Sequence, residues 1–185
     1  MRKVVAVELV SLDGVMEAPE EWAFSYSNEE MEAANAKGMA TSDAMLLGRI
    51  TYEGLAAFWP HQPRGTPMVD YINSVRKLVV SKTLEEAGWN NSTLIREDAL
   101  ENIAELKRQP GKDITIIGSA ALVRSLLEAG LLDELRLMVH PLVLGGGKRL
   151  FEDGEEQEIL ELVSSEAFGT GVVSLVYRPS GEAVT

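Results

Sequence analysis

Four short segments carry residue types suited to holding a flat, anionic ligand. In Leu46-Leu47-Gly48-Arg49-Ile50-Thr51 an apolar run stops at glycine, a fixed cation follows, and then comes a hydroxyl suited to cap a helix. A strand ending at glycine before a helix N-terminus turns free N–H groups and the positive end of a helix dipole toward one point. That arrangement is an anion site. Ile116-Ile117-Gly118-Ser119-Ala120-Ala121-Leu122 repeats it, with small residues opening the helix. A pyrophosphate suits this turn, and an ordinary strand-to-helix connection reads equally well. Leu78-Val79-Val80-Ser81-Lys82-Thr83 ends in a hydroxyl and a cation. The pair is either a seat for a second phosphate, such as the 2′-phosphate of NADP, or a solvated loop. Arg96 carries the same two readings. Ser11-Leu12-Asp13-Gly14 ends the first apolar run on an Asp-Gly turn, where glycine lets backbone lie against a flat ring. None of these is a G-x-G-x-x-G fingerprint, so an ordinary Rossmann domain is not indicated.

The elements that must position these segments alternate between strand and helix, which predicts an α/β sheet with mainly parallel strands. Strands are expected over 3–11, 44–47, 78–81, 93–95, 114–117 and 135–139. Helices are expected over 28–39, with a polar N-cap and Gly38 near its end, over 51–58 with Thr51 as cap, and over 71–76. Asp98 and Glu101 form a capping-box pattern opening a helix that runs to about Arg108. Ser119 is read as the cap of a helix reaching Ala129, with Gly130 as its stop. Residues 12–26 and the proline-rich stretch from Pro60 to Pro67 read as loops. Residues 159–168 and 172–178 flank Gly169-Thr170-Gly171 and predict a closing antiparallel hairpin.

The 185 residues are 45% hydrophobic and show no internal linker, which predicts one domain over 1–185. There is no cysteine, so disulfides, thiolate catalysis and cysteine-bound metal are excluded. The two histidines, His61 and His140, lie far apart, and no metal site is expected. A net charge of −12 argues against nucleic acid as a partner. No apolar run reaches the ~20 residues of a membrane span. The N-terminus enters a strand without a secretory leader, so a cytoplasmic location is expected. Gly145-Gly146-Gly147-Lys148 lacks the Walker spacing and reads as a crossover loop passing close to another backbone.

Taken in order, Ser11-Leu12-Asp13-Gly14, Leu46–Glu53, Val79-Val80-Ser81-Lys82 and Ile117-Gly118-Ser119-Ala120 resemble the dihydrofolate reductase superfamily. Gly130-Leu131-Leu132-Asp133-Glu134-Leu135 and Pro141-Leu142-Val143-Leu144-Gly145-Gly146-Gly147-Lys148-Arg149-Leu150-Phe151 are similar to one branch of it. That branch is the reductase domain at the C-terminus of the bifunctional riboflavin deaminase-reductase, the RibD C-terminal domain. The resemblance implies a three-layer dihydrofolate reductase-like fold with a mostly parallel sheet. It implies NADPH at the C-terminal ends of the strands and a homodimer. By resemblance, Gly48, Arg49 and Thr51 meet the pyrophosphate and its neighbouring phosphate, and Ser81, Lys82 and Arg96 face the adenosine end. Ile117, Gly118, Ser119, Ala120 and Leu122 line the pyrophosphate and nicotinamide ribose, while Val7, Leu12 and Gly14 lie near the nicotinamide. Relatives often carry Gly-Gly where this chain has Gly118-Ser119, and dihydrofolate reductases have a cis peptide there.

The substrate side is acidic. Between Lys3 and Lys37 the chain holds Asp13, Glu17, Glu20, Glu21, Glu29, Glu30 and Glu32 and no cation. Glutamates in a first helical turn serve the helix dipole, which fits Glu29 and Glu30. Glu32 is the candidate catalytic carboxylate, placed to pair with a protonated heterocycle as the helix carboxylate of dihydrofolate reductases does. Trp22, Phe24 and Tyr26 either stack on a planar ligand or anchor their loop. The resulting expectation is an NADPH-dependent reductase of a small heterocyclic, imine or carbonyl substrate, similar to 5-amino-6-(5-phosphoribosylamino)uracil reductase in riboflavin biosynthesis. A phosphorylated substrate sits poorly against this acidic segment. The alternative is a non-catalytic NADP-binding sensor or interaction module.

Overall fold

Apolar runs of four to eight residues, too short for helices and rich in Val, Ile and Leu, pair side by side into one sheet. The computed structural model describes residues 1–154 and 156–181. The strands are β1 (Val4–Ser11), β2 (Ser42–Gly48), β3 (Arg76–Val80), β4 (Ser92–Ile95), β5 (Asp113–Ile117), β6 (Glu134–His140), β7 (Leu160–Ala167) and β8 (Val173–Pro179). They stand in the order β4-β3-β2-β5-β1-β6-β8-β7. From β4 to β6 all neighbours are parallel. β8 runs antiparallel to both β6 and β7. The expected hairpin therefore closes the sheet, with Phe168 N–H donating to the Val172 carbonyl at 2.8 Å.

Parallel pairing requires crossovers, and helices supply all of them except the β3-to-β4 connection, which is a loop over 81–91. The helices are α1 (Pro19–Trp22), α2 (Glu29–Thr41), α3 (Arg49–Phe58), α4 (Pro67–Ser74), α5 (Ala99–Arg108) and α6 (Ala120–Glu128). Pleating sends alternate residues to opposite faces. On one face Val4, Ala6, Val10, Leu46, Leu78, Ile114 and Ile116 pack with Ile103 of α5 and with Val123, Leu126 and Leu127 of α6. On the other face the core is divided. Met45, Leu47 and Val79 gather around Tyr52 of α3, while Met138 gathers with Met31 of α2, Phe168 and Val172. Between these clusters Val7, paired with Ile117 on one side and Arg136 on the other, stays half-buried. No helix among the described residues is long and apolar enough to cross a membrane.

Local signals account for most element ends. Asn28 caps α2, its Oδ1 accepting the Met31 N–H at 3.0 Å. Gly130, at φ +64, ends α6 by donating to the Leu127 carbonyl. Several expectations are corrected. Asp98 takes a left-handed conformation (φ 51) and makes no side-chain cap, so the capping box with Glu101 does not form. Ser119 (φ 63) likewise makes no side-chain cap. Thr51 lies inside the first turn of α3, whose N-cap is Gly48. Helix α4 begins at Pro67, earlier than its apolar pattern implied, because proline is favoured at a first helical position. The segment expected as loop over 12–26 contains α1 and a 3₁₀ turn at Phe24–Tyr26. Helix α2 continues past Gly38 to Thr41.

Leu126 is fully buried where α6 lies on the sheet. Leu126→Ala should cost about 2–5 kcal/mol of unfolding free energy, read from urea denaturation.

Candidate functional site

In a parallel sheet every strand delivers its following turn to the same edge, so segments distant in sequence converge at the C-terminal ends. From β4 inward this edge carries Arg96, then Ser81 and Lys82, then Gly48 and Arg49, then Gly118 and Ser119, then Leu12 and Gly14. Four strand spacings separate β4 from β1, about 19 Å. A surface hollow along Asp98, Glu101 and Arg108 lies on the flank of α5 and not on this edge.

The two glycine turns interlock because β2 and β5 are neighbours. A Cβ on Gly48 would stand 3.0 Å from Ser119 Cβ and closer still to its Oγ. A Cβ on Gly118 would stand 2.8 Å from Thr51 Oγ1, and Gly118 also needs its positive φ of +65. Thr51 and Ser119 thus serve each other's glycine. Neither α3 nor α6 has a side-chain cap, and neither has an acidic residue in its first turn. Their first N–H groups have no acceptor inside the helix. Among the described residues all peptide bonds are trans, including Gly118–Ser119, where the resemblance leaves a cis bond open.

The remaining predicted residues divide by environment. Arg49 is exposed and paired with Glu53 one turn on, 3.3 Å away. Lys82 is exposed, and Arg96 donates to the Glu85 carbonyl, tying down the loop after β3. Ser81 is buried, and its Oγ accepts the N–H groups of Thr83 and Leu84, so it shapes this turn. Leu122 and Ala120 are buried in the core under α6, and Ile117 packs with the Tyr52 cluster. Leu12 is 64% exposed beside Gly14 (φ +80). Glu32 is exposed on α2, away from the converging turns' hydrogen bonds. Trp22 and Tyr26 anchor their loop by meeting His140 edge-on at 5.2 and 5.6 Å, whereas Phe24 remains 62% exposed.

His140 and Glu8 are buried titratable groups to which the sequence assigns no role. His140 is fully buried at the end of β6, its Nδ1 2.9 Å from the Met138 carbonyl and its Nε2 without a partner among the described residues. Burial pushes its pKa down, which keeps the ring neutral. Glu8 lies in mid-strand on β1, only 2% exposed. Its Oε2 accepts the Gly118 N–H at 3.0 Å, and its Oε1 has no partner among the described residues. Burial raises its carboxyl to about 8, only partly offset by the Gly118 hydrogen bond. The signal for Glu8 was present, since a lone acid interrupts the otherwise apolar run Val4-Val5-Ala6-Val7-Glu8-Leu9-Val10.

The acidic segment is more structural than its composition implied. Asp13 accepts the N–H groups of Leu144 (3.1 Å) and Gly145 (2.8 Å). These bonds and the Ser11 hydroxyl hold its carboxyl down at about 2. Glu17 accepts the Lys148 N–H, and Glu30 that of Gly169. Gly147 passes so close to Val15 that a Cβ would stand 2.8 Å from its Cγ1, as the expected crossover requires.

Two predictions follow from this geometry. Glu8 keeps its proton in the folded protein up to about 8, whereas the unfolded chain releases it near 4.5. The folded state therefore binds more protons over that interval, and stability falls as pH rises through it. Against Glu8→Gln, wild type should lose up to about 1.4 kcal/mol per pH unit between these limits and level off above them, read from urea denaturation at each pH. Gly48→Ala should destabilise by about 1–3 kcal/mol through overpacking. Ser119→Gly in the same chain should restore most of that loss, a coupling read in a double-mutant cycle.

The family model of the RibD C-terminal domain matches residues 2–174. YyaP, an uncharacterized protein of Bacillus subtilis strain 168, is 31% identical over 186 residues, covering 97% of this chain and 96% of its own. A protein from Shewanella sp. PV-4, provisionally named for riboflavin biosynthesis, has the same fold with a TM-score of 0.76 at 22% identity, covering 96% of this chain and 99% of that one. The deaminase/5-amino-6-(5-phosphoribosylamino)uracil reductase of Thermotoga maritima aligns with a TM-score of 0.67 at 14% identity, covering 96% of this chain and 56% of that one. With its dihydrofolate reductase-like sheet and these matches along almost its whole length, the chain belongs to the RibD C-terminal domain family.

Proposed function

We propose that this protein is an NADPH-dependent reductase that delivers a hydride to the C=N or C=O carbon of a small heterocycle. The observation carrying this reading is the pair of uncapped helix N-termini on adjacent strands, α3 after Gly48 and α6 after Gly118. Uncapped N–H groups and two dipole ends aimed at one edge fit a pyrophosphate. Membership of a family of riboflavin-pathway-type reductases supports the same conclusion.

In this mechanism NADPH supplies the hydride when bound, and the protein supplies position. Arg49 and the first N–H groups of α3 and α6 hold the diphosphate. Lys82 and Arg96, farther along the edge, provide cations for the 2′-phosphate. Leu12 and Gly14 present an exposed side chain and a side-chain-free backbone to the nicotinamide ring, and Val7 forms the floor between the two clusters of the divided face. Trp22 and Tyr26, held against His140, fix the loop that covers the substrate side and excludes water. Glu32 on α2 is the carboxylate we assign to pairing with a protonated heterocycle.

The substrate is read as uncharged or cationic. Glu20, Glu21, Glu29 and Glu32 are all exposed on α1 and α2 and repel a phosphorylated ligand. On this reading the phosphoribosylaminopyrimidine of riboflavin synthesis is a poorer substrate than its dephosphorylated counterpart. We assign a second copy of the chain to β7, a reading supported by the exposure of Leu162 and Val163 on that sheet edge.

NADPH at a hundred times its Kd should stabilise the protein by about 2.7 kcal/mol, and NADH at equal concentration by much less, read as a rise in Tm. A shift with neither nucleotide would refute the cofactor reading. Loss of nicotinamide absorbance on adding the dephosphorylated pyrimidine, faster than with its phosphate, is the expected activity. Binding without turnover on any imine or carbonyl would favour the non-catalytic NADP module.

A further inference from the structure

A buried carboxyl with one satisfied and one orphaned oxygen requires a reason, because an uncompensated charge in an apolar setting is among the costlier things a fold can hold. Glu8 is on the face of β1 that packs under α6, among Ala6, Val10, Ile116 and Leu135. The Gly118 N–H that it binds is the amide immediately before Ser119, the left-handed residue from which α6 starts. Two things follow. The Gly118 amide is committed inward, to Glu8. The next peptide, turned by the left-handed Ser119, begins the helix whose first N–H groups face the edge.

We infer that Glu8 is a positioning residue for the nucleotide: its carboxyl pins the Gly118 peptide from below so that the first turn of α6 is held open to a diphosphate. This inference rests on the reading of that turn as an NADPH pyrophosphate site. It adds a residue that lies behind the ligand, touches no part of it and acts only through Gly118.

The protonation state of Glu8 matters because of where it sits. A neutral carboxyl offers its carbonyl oxygen to Gly118 and places no charge behind the anion. An ionised one offers a stronger acceptor but sets a negative charge under the same helix end, opposing both the dipole and the bound diphosphate. Charged groups on the packed elements leave this balance to Glu8. Arg124 of α6 is engaged by the Leu150 carbonyl and Glu152, 3.4 Å away. Arg136 of β6 lies on the opposite face, 2.5 Å from Glu134. Asp13 and Glu17 bind backbone N–H groups of the 142–148 loop. Arg49 of α3 is paired with Glu53. Burial and the Gly118 bond alone set where Glu8 titrates, at about 8. Lys77, also moved to about 8, is at the far end of β3 under Trp89.

The test is NADPH binding by calorimetry from pH 7 to 9.5, where the nucleotide phosphates no longer titrate, on wild type, Glu8→Gln and Glu8→Leu, with circular dichroism confirming the fold of each. Wild-type affinity should weaken at least about fivefold across the range. Glu8→Gln keeps the shape and the acceptor for Gly118 but cannot ionise. It should bind within about threefold of wild type at pH 7 and stay flat to pH 9.5. Glu8→Leu leaves the Gly118 amide without an acceptor and should bind about tenfold or more weakly at every pH. Equal pH slopes in wild type and Glu8→Gln would overturn the role of Glu8 while leaving the NADPH reading intact, since the slope would then belong to Lys77 or another group. Failure of wild type itself to bind NADPH would overturn the cofactor reading, and this inference with it.

Discussion

Gly48 faces Ser119 and Gly118 faces Thr51 across two adjacent strands, with no room for a Cβ at either glycine. Because β2 and β5 are parallel neighbours, their following turns emerge side by side, and only glycines let them close to contact. The consequence is electrostatic as well as steric. Two helix N-termini are brought together with their like dipole ends adjacent, an arrangement that is unfavourable until an anion lies between them. A protein stabilised for its own sake would cap both helices with Ser, Asp or Glu in the first turn. Here the serine at the right position, Ser119, has no capping bond, and neither first turn holds an acid.

The acidic first loop and α2 complement this edge in a different way. Asp13, Glu17 and Glu30 accept main-chain N–H groups from the 142–148 loop and the 169–171 turn, each more than a hundred residues away in sequence. Such charge-assisted bonds to N–H donors are stronger than neutral ones. They stitch the first loop and α2 to the 142–148 loop and the 169–171 turn without a disulfide. Composition alone could not separate these staples from Glu20, Glu21 and Glu32, which are exposed and leave the wall negative.

Most of the sheet was legible because parallel strands buried on both faces are written as apolar stretches, and β2, β3 and β5 each hold a short one while β1 is one broken only by Glu8. The Gly-Arg and Gly-Ser turns were legible for the same reason, since each run stops at its glycine. What escaped depended on tertiary contact. Asp98 and Glu101 have capping-box spacing, but Asp98 is left-handed and its side chain makes no capping bond. Thr51 has a cap's chemistry and instead packs on Gly118, a partner known only once β5 lies beside β2. Glu8 was visible as an acid in an apolar strand, yet its meaning required knowing which amide lay above it. Ser81 shows the converse, a hydroxyl at a phosphate-like position spent on its own turn.

The two ends of the sheet differ in how their polar groups are matched. At the N-terminal end every charged group near the core is matched. Arg2 pairs with Asp43 and donates to the Lys112 carbonyl, and Lys107 pairs with Asp133 at 2.5 Å. Asp133 also accepts the Val4 N–H at 2.7 Å, and Lys77 meets the Val75 and Asn90 carbonyls under Trp89. At the C-terminal end the same chain leaves helix amides uncapped, Lys82 exposed and one oxygen of Glu8 without a partner among the described residues. Both ends are built from the same strands and the same residue types, so the asymmetry does not come from a shortage of polar partners. Uncapped helix amides at one edge raise the free energy of the empty protein and lower the cost of placing an anion there. Under the proposed function, that is how this fold would store affinity for a dinucleotide, with recognition on the backbone at the sheet edge and the side chains of β1, α2 and the acidic loop left to choose the substrate.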